Sequence, residues 1–487
     1  MNKPLRHIAI FCGLLVLALL IRNNWIQYVR ADELSTHKYN QRVAIERYAS
    51  PRGNIVVDGK PITGSVKTDS NYFVYKRTYT DGEMWSPVTG YASQAFGANQ
   101  IEKLEDGILT GNDDQLFFDR TLAMFTGDKK KGGDVITTLN GAAQKAAFEG
   151  LGDKKGAVAA IEPSTGKILA LASTPSYDPS SFAAGFAQKE ADTFTRLDKD
   201  KDKPMLNRAL REIYPPGSTF KVLTAAAALE NGVVKDIDAP TDTPEPYILP
   251  GTRTPMKNHA EGCENASLNK ALEVSCNSVF AKLGDSVGRD KMVEMAEKFG
   301  FNNPEIDVPV RAAASVYDKN MSRDGNAQSS IGQFNTATTP LQMAMVTAAI
   351  ANDGKLMKPY MVDELRSPDL DLLEKHEPEE MSRPMSAETA QLVQKMMENV
   401  VDNGTGGKAG IDGVKVGGKT GTAQHGEQNK ARPYAWFVSY AKTDQGSPVA
   451  VAVIVEDSSA VAREDISGGG LAGPIARDVM KAVLDSK

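Results

Sequence analysis

Residues 214–230, Tyr-Pro-Pro-Gly-Ser-Thr-Phe-Lys-Val-Leu-Thr-Ala-Ala-Ala-Ala-Leu-Glu, carry the reading on which the others depend. Pro215-Pro216-Gly217 forces the chain to stop and redirect. Ser218 then stands at the start of a helix that continues as the apolar run Val222–Leu229. One turn separates Ser218 from Lys221, so both side chains leave on one face. The amides of a helix N-terminus favour negative charge developing there. A serine with an amine base one turn away, in such surroundings, is what nucleophilic acyl transfer needs. The plainer alternative is an N-cap serine and a surface lysine.

S-x-x-K alone is a weak pattern. It recurs at Ser35–Lys38, Ser164–Lys167, Ser267–Lys270 and Ser439–Lys442. Ser164 falls in a hairpin turn and Ser439 on a strand, and none of the four has the redirecting turn and apolar helix around Ser218. Two further motifs follow in order. Ser275-Cys276-Asn277 is a Ser-x-Asn, expected within one helix Leu268–Leu283; S-D-N accompanies S-x-x-K in serine acyl-transfer enzymes, and here the middle residue is Cys. Lys419-Thr420-Gly421-Thr422 is the K-T-G of this chain. Taken singly, these are a polar helix patch and a glycine-rich surface turn; the order of all three is what is specific.

Two other matches are rejected on context. Gly413–Thr420 fits G-x-x-x-x-G-K-T, but neither an apolar strand before it nor a helix after it is expected. Gly284–Gly288 fits G-x-S-x-G but is expected in a loop between helices, not at a strand-to-helix elbow.

Outward from these motifs, the chain reads as α+β. Strands are expected at Val135–Leu139, Ala157–Ile161, Ile168–Ala172, Trp436–Tyr440 and Val449–Val455. Helices are expected over 142–151, 338–352, 385–401 and 474–484, and helical segments dominate 218–300. Strands at both ends with helices between suggest one α+β domain. Residues 31–50 read as a polar helix, 55–126 as short strands and turns, and the polar stretch 128–134 as a boundary. Lys3 and Arg6 precede the apolar run Ile8–Ile21, which reaches spanning length if extended through Trp25 and Ile26. A retained anchor with a cytoplasmic N-terminus is preferred over a cleaved signal peptide or a buried core helix.

The 487 residues allow two to four domains. With 56 Lys+Arg against 62 Asp+Glu, the balance of −6 gives no basic footprint for nucleic acid. Three cysteines (Cys12, Cys263, Cys276) are too few for a disulfide scaffold or iron–sulfur sites. Five scattered histidines lack H-E-x-x-H, so no metal or other cofactor is expected.

Together the motifs resemble the class B penicillin-binding proteins, monofunctional D,D-transpeptidases of peptidoglycan synthesis, and within them the penicillin-binding protein A group of actinobacteria. Ser50-Pro51-Arg52-Gly53-Asn54-Ile55, Ala160–Ala170, Ile331-Gly332-Gln333 and Thr339–Ala344 carry the likeness beyond the three motifs. The resemblance implies a cytoplasmic tail (1–7), a transmembrane anchor (8–28), a non-catalytic pedestal (29–134) and a transpeptidase domain (135–487). That domain has an antiparallel sheet flanked by helices, as in the serine β-lactamases. It implies a plasma-membrane protein with its catalytic domain outside the cytoplasm. Its partners would be peptidoglycan stem peptides, β-lactam antibiotics, a polymerising glycosyltransferase and division or elongation proteins.

The resemblance also implies roles. Ser218 attacks the bond between the terminal D-alanines, and Lys221, made neutral by burial and by Lys419, is the base. Ser275 relays a proton to the leaving nitrogen, and Asn277 holds Lys221 and the substrate amide. Lys419, Thr420 and Thr422 recognise the terminal carboxylate beside Gly421. The N–H groups of Ser218 and Thr422 form the oxyanion hole. An E-x-x-x-N that could deacylate is absent between Asn277 and Lys419, so β-lactams should inhibit. Cys263 and Cys276, both exported, are either bridged or two reduced buried thiols; a bridge is worth about 3 kcal/mol in the chain-entropy model. A D,D-carboxypeptidase and a non-catalytic β-lactam-binding scaffold or sensor remain the alternatives.

Overall fold

The computed structural model describes residues 3–35, 37, 45, 47–70, 73–126, 130–183, 187–424, 426, 431–457 and 466–486. In chain order, α1 (Lys3–Tyr28) precedes β1 (Ile55–Val57), β2 (Lys60–Pro61), β3 (Asp134–Thr137), α2 (Gly141–Leu151), β4 (Lys155–Ile161) and β5 (Ile168–Thr174). Then come α3 (Lys221–Glu230), α4 (Leu268–Glu273), α5 (Asn277–Val287), α6 (Pro340–Ala351), β6 (Val362–Arg366), β7 (Leu372–Lys375) and α7 (Ala387–Asp402). The chain closes with β8 (Lys415–Ala423), β9 (Tyr434–Thr443), β10 (Gly446–Asp457) and α8 (Gly473–Asp485).

The 26 residues of α1 span about 39 Å, more than the roughly 30 Å of a bilayer core, and none is buried. The expected helix over 31–50 is seen at Ala31–Ser35, and most of 36–46 lies outside the described residues.

The larger sheet is fully antiparallel in the order β8-β9-β10-β4-β5. Its strands alternate between two cores. Ala157, Ala159, Trp436, Val438, Tyr440, Ala450, Ala452 and Ile454 face the core that holds α3 and α6. Val158, Ala160, Phe437, Val451 and Val453 face α2 and α8. Because both faces are covered, these strands read as unbroken apolar runs rather than alternating ones. Residues Lys221–Ala228 of α3 and Pro340–Ile350 of α6 are all buried, so both helices run through the interior.

A second sheet, β7-β6-β3-β1-β2, pairs β1 with β3 in parallel (Ile55 opposite Val135) and its other neighbours antiparallel. Two of its strands come from residues 362–375, beyond α6. The Arg52 of the Ser-Pro-Arg-Gly-Asn stretch explains why that stretch is special. Its guanidinium is buried against Glu102 (2.6 Å) and Asp106 (2.6 Å), and Arg77 reaches the other oxygen of Glu102 at 2.6 Å. Burial alone would raise the Glu102 carboxyl, but Arg77 and Arg52 override it and hold it below its usual range. A Glu102→Ala variant strands two buried guanidiniums and is expected to lose about 3–5 kcal/mol, read from denaturant midpoints. The Glu102 contribution in the parent is present at neutral pH and lost as pH falls through the lowered carboxyl value.

Several boundaries differ from the sequence reading. Helix is sparser over 231–267, where a two-residue ribbon pairs Tyr247–Ile248 with Pro255–Met256. Short helices occur within 82–126. Gly284–Val287 is the last turn of α5 rather than a loop. The expected single helix Leu268–Leu283 is two, α4 and α5, interrupted at 274–276.

Candidate active site

The turn before α3 is fixed from several sides. Gly217 sits at φ +54°, a left-handed conformation, and a Cβ there would lie 3.1 Å from the Ala423 Cβ. Its N–H donates to Gly332 O at 2.9 Å, Trp436 Nε1 donates to Pro215 O at 3.1 Å, and Tyr214 and Thr338 exchange backbone bonds. A Cβ on Gly332 would come within 2.1 Å of Gly217 O, which accounts for the glycine in Ile331-Gly332-Gln333. Residues Gly217–Phe220 form a single 3₁₀ turn that runs into α3. Ser218 is half-buried, and its hydroxyl has no hydrogen-bond partner among the described residues.

Lys221 is fully buried. Its Nζ donates to Asn277 Oδ1 at 2.7 Å, to Ser275 O at 2.8 Å and to Ser275 Oγ at 3.2 Å. These bonds explain the break between α4 and α5. Ser275 has φ +66°, a strained value for a non-glycine residue costing about 1–3 kcal/mol. In an unbroken helix its carbonyl would be spent on the ladder; here both its oxygens turn to Lys221. Cys276, next to it, is disulfide-bonded to Cys263 with Cα atoms 5.5 Å apart.

Lys419 approaches from the sheet. It is fully buried on β8, and its Nζ donates to Ser275 Oγ at 2.9 Å and to Thr420 O at 3.0 Å. Ser275 Oγ thus touches both amines. Burial, and then the Lys419 charge, hold Lys221 well below the ordinary lysine value; burial lowers Lys419 to about 7. Neither amine forms an ion pair with a carboxylate among the described residues.

Ser218, Ser275, Asn277, Thr420 and Thr422 open onto one groove of about 790 Å³. Gly421 lies behind it, packed under Pro216 and Thr219. β8 is an edge strand, so among the described residues no strand pairs with the side away from β9. The far wall is built by residues that sequence reading did not single out, including His259, Thr405, Lys408 and Ser467–Gly470. Thr405 Oγ1 lies 2.7 Å from Thr420 Oγ1. No carboxylate lines the groove among the described residues. Nor is any group of three or more His, Cys, Asp or Glu side chains among them placed to hold a metal ion.

The competing motifs lie elsewhere. Ser267 caps α4, accepting from the Lys270 N–H; Lys167 pairs with Asp363 at 3.1 Å; Ser439 is buried within β9. Lys38 lies outside the described residues. Lys415–Thr420 of the phosphate-loop match is extended strand.

Comparison with known proteins fits this geometry. The penicillin binding protein transpeptidase domain family matches residues 156–481. The chain belongs to the penicillin-binding protein transpeptidases. Residues 52–135 match the penicillin binding protein A dimerisation domain, so this penicillin-binding protein carries both units of the expected architecture. Among curated relatives, the peptidoglycan D,D-transpeptidase PbpA of Mycolicibacterium smegmatis is 38% identical over 99% of each chain. That of Mycobacterium tuberculosis is 38% identical over 100% of each. The ceftriaxone acyl-enzyme complex of penicillin-binding protein A from M. tuberculosis superposes with a TM-score of 0.85 at 37% identity. It covers 90% of this chain and 100% of that one. The penicillin G acyl-enzyme of that protein gives 0.83 over 89% and 100%, at 37% identity.

Proposed function

We propose that this penicillin-binding protein is a peptidoglycan D,D-transpeptidase that acts through an acyl-Ser218 intermediate and is inactivated by β-lactams. The observation that carries this is the contact of Ser275 Oγ with both Lys221 and Lys419, beside the edge strand β8 and a Ser218 hydroxyl that has no hydrogen-bond partner among the described residues. A neutral amine has two N–H groups and one lone pair. With Ser275 O and Asn277 Oδ1 taking the two N–H groups of neutral Lys221, the third contact, to Ser275 Oγ at 3.2 Å, is one in which the Ser275 hydroxyl donates to the lone pair; that lone pair takes the Ser218 proton when the hydroxyl turns away.

Ser218 Oγ bonds to the carbonyl carbon between the terminal D-alanines as its proton passes to Lys221. The C–N bond breaks as Ser275 delivers its proton to the departing D-alanine nitrogen and takes one back from Lys221, which returns to the neutral amine. An amine of a neighbouring stem then attacks the ester, its proton passing through Lys221 to the departing Ser218 Oγ, which restores the serine and forms the cross-link. The extended donor peptide adds to the edge of β8. Lys419, Thr420 and Thr422 receive its carboxylate, and the N–H groups of Ser218 and Thr422 stabilise the oxyanion, worth about 3–4 kcal/mol per donor. The lack of a carboxylate among the described residues that line the groove supports slow deacylation, hence inhibition.

In this reading residues 1–7 are cytoplasmic, 8–28 form the anchor, 29–134 the pedestal and 135–487 the transpeptidase domain, outside the cytoplasm. Glycan strands would come from a separate polymerising glycosyltransferase, with division or elongation proteins as further partners.

Incubation with pentapeptide-bearing glycan strands is expected to yield cross-linked stem dimers with one D-alanine released per link. D-alanine release without dimers would make the protein a carboxypeptidase, and neither product would refute the reading. Acylation by penicillin should fall at low pH as Lys221 takes up a proton and its lone pair is lost. It should also decline above about 7 as Lys419 loses its charge. Stopped-flow acylation rates across pH read both limbs; a rate independent of pH would remove Lys221 as base.

A further inference from the structure

The geometry points to Asn258, in the loop beyond the 255–256 ribbon strand, as a positioning residue that fixes which end of the Asn277 amide faces Lys221. This rests on the transpeptidase reading above. The N-terminus of α5 begins at Asn277, and its N-cap, Cys276, offers no capping side chain. Asn258 caps it from another segment: its Oδ1 accepts from the Asn277 N–H at 2.6 Å and from the Ser278 N–H at 3.0 Å. Its Nδ2 donates to Ser278 Oγ at 2.8 Å and to Glu245 Oε1 at 2.7 Å. All four hydrogen-bonding positions of the Asn258 amide are filled, so it cannot turn over without setting donors against donors.

The next link is the neighbouring backbone. Lys257 O accepts from Asn277 Nδ2 at 2.9 Å. With its nitrogen held there, Asn277 must present oxygen to Lys221, as it does at 2.7 Å. The opposite orientation would aim an N–H group at the Lys221 lone pair and block proton uptake from Ser218. Asn258 therefore acts through Asn277, and the Cys263–Cys276 bridge ties the far end of the same loop to the same helix start.

The direction of the pH effect follows. An acceptor on Lys221 favours its ammonium form, with Lys419 the charged neighbour opposing it. Loosening Asn277 removes that acceptor, so the acidic limb of acylation moves to lower pH while the plateau drops.

The test is the pH profile of penicillin acylation for the full chain and for Asn258→Ala and Asn258→Asp. Asn258→Ala is expected to slow the plateau about 10- to 100-fold and move the acidic limb down. Asn258→Asp keeps both amide contacts, and exposed Glu245 can turn to solvent; it should stay within about threefold of the parent, the rescue expected of a kept cap. A parental rate in Asn258→Ala overturns the proposal. So does a slow variant with an unmoved limb, or an Asp variant as slow as the Ala one. If Asn258→Ala does not fold, Asn258→Ser, whose short hydroxyl can serve only one of the two amides, takes its place with the same expectation. A parent chain that penicillin does not acylate would instead refute the transpeptidase reading.

Discussion

Ser218→Ala protein treated with penicillin G is expected to keep its unmodified mass, while the parent gains one penicilloyl group mapping to the peptide that holds Ser218. The acylation rate should fall by on the order of 10⁶-fold, the cost of removing a serine nucleophile from an otherwise intact site. The fold should not notice. The Ser218 hydroxyl bonds to nothing described, and the turn is held instead by Gly217, Pro215 and Tyr214. Stability should therefore stay within about 0.5 kcal/mol of the parent. That separation makes the result interpretable: lost labelling with an unchanged melting curve is lost chemistry. An adduct that persists and maps to Ser275 or Ser467, the other serines lining the groove, would move the nucleophile and with it the whole mechanism.

Lys221→Met should leave the groove shape nearly intact and remove the base. Acylation should slow by about 10²–10⁴-fold. The acidic limb of the pH profile should vanish, because the group that produced it is gone. A second readout follows from linkage. Folded Lys221 is held well below the ordinary lysine value, so between its lowered value and about 10.4 the unfolded chain binds more protons than the folded one. Parent stability therefore rises with pH through that window. The variant should show a shallower rise, to which Lys419 still contributes above about 7. Unfolding free energies at several alkaline pH values check this. An unchanged slope would mean that Lys221 titrates normally when folded and cannot be the neutral base.

Much of the catalytic half was legible because its signals are local. Ser218 and Lys221 are one turn apart, so their shared face follows from helix geometry alone. Phe437, Val451 and Val453 on one side of the sheet and Trp436, Val438 and Ala452 on the other make strands that are apolar throughout. The α4–α5 break was hidden. Nothing within Leu272–Asn277 demands a left-handed serine; the demand comes from Lys221, 54 positions earlier in the chain. Thr405, Lys408 and Ser467–Gly470 escaped for a similar reason: each carries no motif and reaches the groove only through the packing of distant segments. Asn258 looks like any loop asparagine until the helix start it caps is seen. The pedestal rested on family likeness, since a sheet that joins residues 55–61, 134–137 and 362–375 has no period for a sequence to display.

That shared sheet limits how this architecture can be cut and recombined. A break at the polar stretch before β3 would separate β1 and β2 from their hydrogen-bonded neighbour β3, which stays paired with β6 on the other fragment. The two units matched by different families are thus not interchangeable cassettes. A graft of a foreign N-terminal region would have to present a strand in register with residues 134–137, whose other edge is already taken by 362–366, and gene shuffling between relatives should tolerate crossovers on either side of this sheet far better than within it.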